Sequence, residues 1–143
     1  AKYIENSQIT HVTVFYGSLN TNSLKFTYSR AGHPPPILIR EKEATQELDS
    51  KGVFLGLFNT IDLEEKELYL KPGDKLFFYT DGISETQNQE GDFYGNDRLL
   101  TMIKKHQDKD IETCLNLIFD DVDDFSNFQK ASDDRTMVIL EIK

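Results

Sequence analysis

Two short unbroken apolar runs, Leu76-Phe-Phe-Tyr79 and Met137-Val-Ile-Leu140, constrain this chain more than any other feature. A strand with one wet face alternates apolar and polar residues, whereas a strand covered on both faces reads as a continuous run. These two runs therefore call for layers on either side, and the residues between them supply helices. Asn96 can cap a helix that passes through Leu99, Leu100 and Ile103 to about His106. Asp110 can cap a second, in which Ile111, Leu115, Ile118, Val122 and Phe125 recur at spacings of four, three, four and three. That is the apolar stripe of an amphipathic helix. The expected class is α+β, with central strands covered by helices.

From residue 11 to about residue 80 the period is that of strands. His11-Val-Thr-Val-Phe-Tyr16 is β-branched and aromatic, and ends at Gly17. Asn20-Thr-Asn22 makes a turn, after which Leu24, Phe26 and Tyr28 alternate with Lys25, Thr27 and Ser29. Two such runs with a short polar link predict a hairpin with one buried face. Pro34-Pro-Pro36 stops that sheet and precedes a short strand, Ile37-Leu-Ile39. The polar segment Glu41 to Lys51 reads as a hairpin tip or excursion. Val53 to Phe58 is apolar around Gly56, which marks a bulge or a close backbone approach. Leu68 and Leu70 lead into Lys71-Pro-Gly-Asp74, where Pro presets φ and Gly accepts φ > 0, as a type II turn requires. All four prolines lie in these two breaks.

No repeat, low-complexity tract or linker divides the 143 residues, which suit one domain of ordinary size. Ten Phe and six Tyr within a 38% hydrophobic composition provide for a packed core. Sixteen basic against 25 acidic side chains leave a net charge of −9, which repels phosphate backbones and anionic lipid. Binding to nucleic acid or directly to a membrane is therefore not expected. No apolar run approaches the roughly 18 residues of a membrane span, and no signal peptide opens the chain. A single cysteine, Cys114, forms neither an internal disulfide nor a thiolate zinc cluster, and suits a reducing compartment. The chain begins at Ala1 rather than Met, as a processed or excised piece would.

The chemistry is expected where the two central strands end. The first runs out into Thr80-Asp81-Gly82, and the second is reached through Asp133-Asp134-Arg135-Thr136. Carboxylates at the end of a buried strand, beside a glycine that lets the backbone bend, are placed to bind a hard cation. Mg²⁺ and Mn²⁺ take oxygen ligands and retain waters, so few protein carboxylates suffice. If the strands are antiparallel neighbours, Asp81 and Asp133 can share a site. Each motif alone also has a plain reading, as an Asp-Gly turn or as a solvated loop before a strand.

Taken in order, six motifs carry a resemblance: Ala31-Gly-His-Pro-Pro-Pro36, Leu55-Gly56, Lys71-Pro-Gly-Asp74, Leu76-Phe-Phe-Tyr-Thr-Asp-Gly-Ile-Ser-Glu85, Phe93-Tyr-Gly-Asn-Asp-Arg-Leu99 and Asp133-Asp-Arg-Thr-Met-Val138. From about residue 11 to residue 143 the chain resembles the later part of a PPM-type (protein phosphatase 2C-like) serine/threonine phosphatase. The branch it resembles is the bacterial one typified by stage II sporulation protein E and the RsbU regulators. That resemblance implies a β-sandwich of mainly antiparallel strands flanked by helices, with a two-metal Mn²⁺ or Mg²⁺ centre between the sheets. It places the family's Asp-Gly aspartate on Asp81 and its late Asp-Asp-x-Thr aspartate on Asp133, with Asp134 as a further metal ligand. Asp81 and Asp133 are then the catalytic pair.

The same family carries another metal-binding aspartate in an early Gly-Asp-Val-x-Gly-His-Gly motif, which is not found here. Ala1 to Gln8 resembles the end of a helix that would follow it. The resemblance therefore implies a single partial phosphatase domain over residues 1–143, the C-terminal two-thirds of the whole, inactive as it stands. Its implied activity is removal of phosphate from a phosphoprotein, such as an anti-sigma-factor antagonist, by attack of a metal-activated water. The setting is bacterial signal transduction in the cytoplasm, as the cytoplasmic part of a larger protein with an upstream sensor domain, with a homodimer among the assemblies. The alternative is a non-catalytic phosphatase-like module that binds a partner.

Other residues that draw notice have plainer readings. His33, between Gly32 and three prolines, suits a structural hydrogen bond better than a ligand or acid role. His11 and His106 are unsupported singles. Asp120, Asp121, Asp123 and Asp124 lack the glycine and ligand order of an EF-hand loop and read as a solvated helix face. Cys114 reads as a small helix residue. The glycines form no phosphate-cradling pattern, so nucleotide binding has no support.

Overall fold

The computed structural model describes residues 11–41, 43–58, 60–128 and 133–143. The helix end expected over Ala1 to Gln8 lies outside them. The chain forms two compact units, Ala1–Pro35 with Asp49–Tyr69, and Pro36–Leu48 with Leu70–Lys143.

Among the described residues the first unit holds a three-stranded antiparallel sheet, β1 (Val14–Leu19), β2 (Lys25–Ala31) and β5 (Glu65–Tyr69), in the order β1-β2-β5. The expected hairpin is present. Its turn is stabilised by the Asn20 carboxamide, whose Oδ1 accepts from the amides of Asn22 and Ser23, each at 3.0 Å. Phe26 and Tyr28 are buried on the face predicted by the alternation, with Phe15 stacked against both rings. The first strand does not stop at Gly17 but continues to Leu19. The Phe26 ring lies where a Gly17 side chain would be, so the glycine is a packing choice within the strand rather than a terminator. Val53 to Phe58 forms no extended strand. Only Leu55 pairs, in a bridge to Val12, while Gly56 takes φ 93°.

The second unit holds a four-stranded antiparallel sheet: β3 (Ile37–Ile39), β4 (Gln46–Glu47), β6 (Lys75–Tyr79) and β7 (Met137–Glu141), in the order β4-β3-β6-β7. Among the described residues three helices follow β6: α1 (Asp81–Ser84), α2 (Asn96–His106) and α3 (Ile111–Phe125). The Lys71-Pro-Gly-Asp74 turn opens β6, with Gly73 at φ 91° and the Asp74 amide donating to the Lys71 carbonyl at 3.0 Å. Asp110 caps α3, its carboxylate accepting from the Thr113 amide at 2.9 Å. Asn96 is the first helical residue of α2 rather than its cap, and Gly95, at φ 79°, precedes it.

One core serves this unit. Ile37, Phe77, Tyr79 and Met137 from the sheet meet Leu99 and Ile103 of α2 and Cys114, Ile118 and Val122 of α3. The buried centre of α3 is thus the Cys114-Ile118-Val122 line, with Leu115 and Phe125 partly buried beside it. Leu76 and Phe77 are fully buried, and each such side chain contributes roughly 1.5–3 kcal/mol. The expectation of two-sided burial holds for β6 but not for β7. Within β7, Met137 and Ile139 face the core while Val138 is 55% exposed. An edge strand packed by helices on one face alternates despite its continuous apolar sequence. Among the described residues no helix is long and apolar enough to cross a membrane.

Candidate functional site

Antiparallel pairing sets Tyr79 opposite Met137, so the last residue of β6 adjoins the first residue of β7. Asp81 follows one strand end, and Asp133 and Asp134 precede the other. Asp81 does not sit in an Asp-Gly turn; it opens the one-turn helix α1. All three carboxylate-bearing residues are exposed to solvent. One oxygen of Asp133 accepts from the Asp134 amide at 2.7 Å, which shapes the loop that leads into β7.

Backbone and hydroxyl contacts hold the two strand ends together. The Thr80 amide donates to the Thr136 carbonyl at 3.1 Å. Thr80 Oγ1 donates to the Asp134 carbonyl at 2.9 Å and accepts from the Thr136 amide at 3.0 Å. Gly82 lies so close to this loop that a β-carbon there would collide with the Asp134 carbonyl group. The loop is also tied to α3, because Arg135 Nη1 lies 2.8 Å from Asp123 Oδ1. Beneath α1, the Thr86 hydroxyl donates to the Gly82 carbonyl at 2.8 Å, and the Gly95 amide reaches the Ser84 carbonyl at 2.8 Å.

A second polar cluster braces the helices. Asp121 accepts from the Tyr94 hydroxyl at 2.7 Å and from two nitrogens of Arg98. The Arg98 guanidinium holds the Asp121 carboxyl below its ordinary range. Burial, and then Asp121 itself, push the Tyr94 hydroxyl well above its own. The reading of the α3 acidic residues as a solvated face therefore fits Asp120 and Asp124, whereas Asp121 and Asp123 are half-buried and engaged. Cys114 is buried in the core. In the first unit, His33 Nδ1 is 3.2 Å from Thr13 Oγ1, a structural hydrogen bond as expected.

At the far end of β6, a cavity of about 360 Å³ is lined by Arg40, Lys71, Asp74, Lys75 and Glu141, among others. Its charges are spent on one another and on backbone. Arg40 pairs with the buried Asp74 at 3.0 Å, and Lys75 donates to the carbonyls of Gln107 and Lys109. It is remote from the carboxylates at the other end of the strand.

Asp81, Asp133 and Asp134 offer hard, exposed oxygen donors from two adjacent strand ends, a donor set that suits Mg²⁺ or Mn²⁺. They fit as part of a coordination sphere rather than a whole one, since among the described residues no three His, Cys, Asp or Glu side chains converge as a metal group. The sequence pattern assigns no role to Thr80 or Arg135 and reads Gly82 only as the point where the backbone bends, not as a close contact with the Asp134 carbonyl. The signal for Thr80 was present in the strand register, which sets Thr80 opposite Thr136 once β6 and β7 are paired.

Two antiparallel sheets with helices after the central strand are the fold of PP2C-like protein phosphatases. The chain belongs to the Stage II sporulation protein E (SpoIIE) family, whose match covers residues 2–143. It is 29% identical over 133 residues to phosphoserine phosphatase RsbU of Bacillus subtilis (strain 168), a match that covers 92% of this chain and 39% of that protein. Among solved structures it superposes on the SiaA-PP2C domain of Pseudomonas aeruginosa with a TM-score of 0.82 at 17% identity, over 94% of this chain and 53% of that one. The Mn-presoaked phosphatase domain of the cell fate determinant SpoIIE from Bacillus subtilis gives a TM-score of 0.66 at 20% identity, over 91% and 56%. The chain thus spans well under two thirds of each of these three proteins.

Proposed function

We propose that this chain is the C-terminal part of a metal-dependent protein serine/threonine phosphatase domain, acting on a phosphorylated regulatory protein such as an anti-sigma-factor antagonist. The observation that carries the reading is the pinned pair of strand ends, with Asp81 on one and Asp133 and Asp134 on the other. Family membership supports it, as does the name of the RsbU relative. Asp81, Asp133 and Asp134 would hold Mn²⁺ or Mg²⁺. When bound, such a cation supplies Lewis-acid activation of water and neutralises charge on the phosphoryl group.

The chain's own part is to present carboxylates at fixed spacing and to keep them in water. Their exposure leaves room for a phosphorylated side chain of a partner protein to approach. Because the residues present fit only part of a metal centre, the remainder is supplied by other residues of the complete domain, and residues 1–143 alone are inactive. In this reading the protein works in the cytoplasm, downstream of a sensor domain, and its surface disfavours nucleic acid and anionic lipid. A homodimer is the assembly proposed.

The test is hydrolysis of a phosphoserine peptide by the complete domain and by residues 1–143, with Mn²⁺ and with EDTA. The reading expects turnover by the complete domain that EDTA abolishes, and little by the shorter chain. A complete domain that binds its phosphoprotein but never hydrolyses it, with or without Mn²⁺, would mark a binding module instead.

A further inference from the structure

We infer that Thr80 is a positioning residue, whose hydroxyl latches the Asp133–Thr136 loop to the end of β6 and so sets the spacing of Asp133 and Asp134 from Asp81. The inference rests on the metal-site reading above and deepens it, giving Thr80 a role of its own. Three hydrogen bonds join Thr80 to the loop, and two of them pass through its one hydroxyl, which donates to the Asp134 carbonyl and accepts from the Thr136 amide. A hydroxyl used in both senses fixes its own rotamer and both partners at once. The backbone bond alone, from the Thr80 amide to the Thr136 carbonyl, continues the ladder but leaves the Asp134 carbonyl unheld.

Gly82 supplies the other half of the latch. Its α-carbon lies against the Asp134 carbonyl group at a distance that no side chain permits, so α1 and the loop are packed backbone to backbone. Asp81 sits between these two contact residues. Its carboxylate and those of Asp133 and Asp134 therefore hang from one braced junction rather than from two independent loops. Residues that orient ligands in this way typically alter metal affinity by roughly 10–100-fold when removed.

Two substitutions in the full-length protein test the latch. Thr80→Val keeps the β-branched shape and removes the hydroxyl; Thr80→Ser keeps the hydroxyl. Hydrogen exchange is read on a peptide covering residues 133–137 without metal, and Mn²⁺ affinity is read by calorimetry. Thr80→Val is expected to speed exchange of this peptide and weaken Mn²⁺ binding about tenfold or more, while exchange in α3 stays at wild-type rates. Thr80→Ser is expected to restore both. Gly82→Ala is expected to reproduce the valine variant by displacing the loop. The inference is overturned if Thr80→Val leaves exchange unchanged, if it leaves wild-type Mn²⁺ affinity intact, or if serine fails to rescue. Wild-type protein that binds no Mn²⁺, yet loses protection of residues 133–137 in Thr80→Val and regains it in Thr80→Ser, would remove the metal reading and leave the latch.

Discussion

Arg98 meets Asp121 as a two-pronged pair, Nε to Oδ2 at 2.8 Å and Nη2 to Oδ1 at 3.0 Å, and the guanidinium lies over the Tyr94 and Phe125 rings, 5.2 and 4.8 Å from their centroids. The pair joins the start of α2 to the last turn of α3, and the Tyr94 hydroxyl closes it from below. Asp121→Asn should cost about 1–2 kcal/mol, after discounting for the solvent that reaches Arg98. Because the folded-state pKa of Asp121 lies below its ordinary 3.8, this stability is present above that pH and lost as pH falls through the lower folded value. Urea unfolding at pH 7 should separate wild type from Asp121→Asn, and the gap should close in strong acid. An equal gap at both pH values would contradict the ionic role.

Two tyrosines set the alkaline limit. Burial pushes the Tyr79 hydroxyl up to about 12, and Tyr94 is raised further by burial and by Asp121. A raised folded pKa means stability that is complete below the unfolded value near 10 and declines as pH rises beyond it. Ultraviolet titration should therefore show Tyr79 and Tyr94 ionising only as the second unit unfolds. A folded-state absorbance step near pH 10 that shrinks in Tyr79→Phe or Tyr94→Phe relative to wild type would contradict the burial, since exposed Tyr16 and Tyr69 contribute equally to all three proteins.

Lys75 should matter more than its neighbour Lys71. The buried Lys75 ammonium donates to the carbonyls of Gln107 and Lys109 at 2.7 and 2.8 Å, which fastens the C-terminal end of α2 to the first residue of β6. Lys75→Met should lower stability by about 1–3 kcal/mol, since it strips a charged donor from both carbonyls. Lys71 pairs with Glu43 at the surface, and Lys71→Met should melt within error of wild type. Thermal melts of the two variants side by side decide this.

Local chemistry made most of these elements legible in the sequence. Proline and glycine at 72 and 73, the Asp110 cap and the Phe26/Tyr28 alternation each act within a few residues, so they could be read directly. The pairing of the two strand ends that lead to Asp81 and from Asp133 couples positions more than 50 residues apart, which apolar runs alone do not specify. Three features escaped for the same reason. The exposed face of β7 depends on its place at the sheet edge. The work of Asp121 depends on Arg98 and Tyr94, which pattern on α3 cannot reveal. The value of the Thr80 hydroxyl depends on a loop that arrives from the other end of the unit.

The claim that these strand ends form a metal site is tested most directly by titrating Mn²⁺ into the complete domain and its Asp81→Asn and Asp133→Asn variants, with calorimetry for affinity and melting for stability. An amide presents a dipole where a carboxylate presents a full charge, so each substitution should weaken binding by at least about tenfold and remove Mn²⁺-dependent hydrolysis. Without metal, relief of repulsion among neighbouring aspartates should leave the melting temperature unchanged or slightly higher. Wild-type Mn²⁺ affinity in Asp81→Asn, or unfolding of that variant without selective loss of the metal response, would contradict the account.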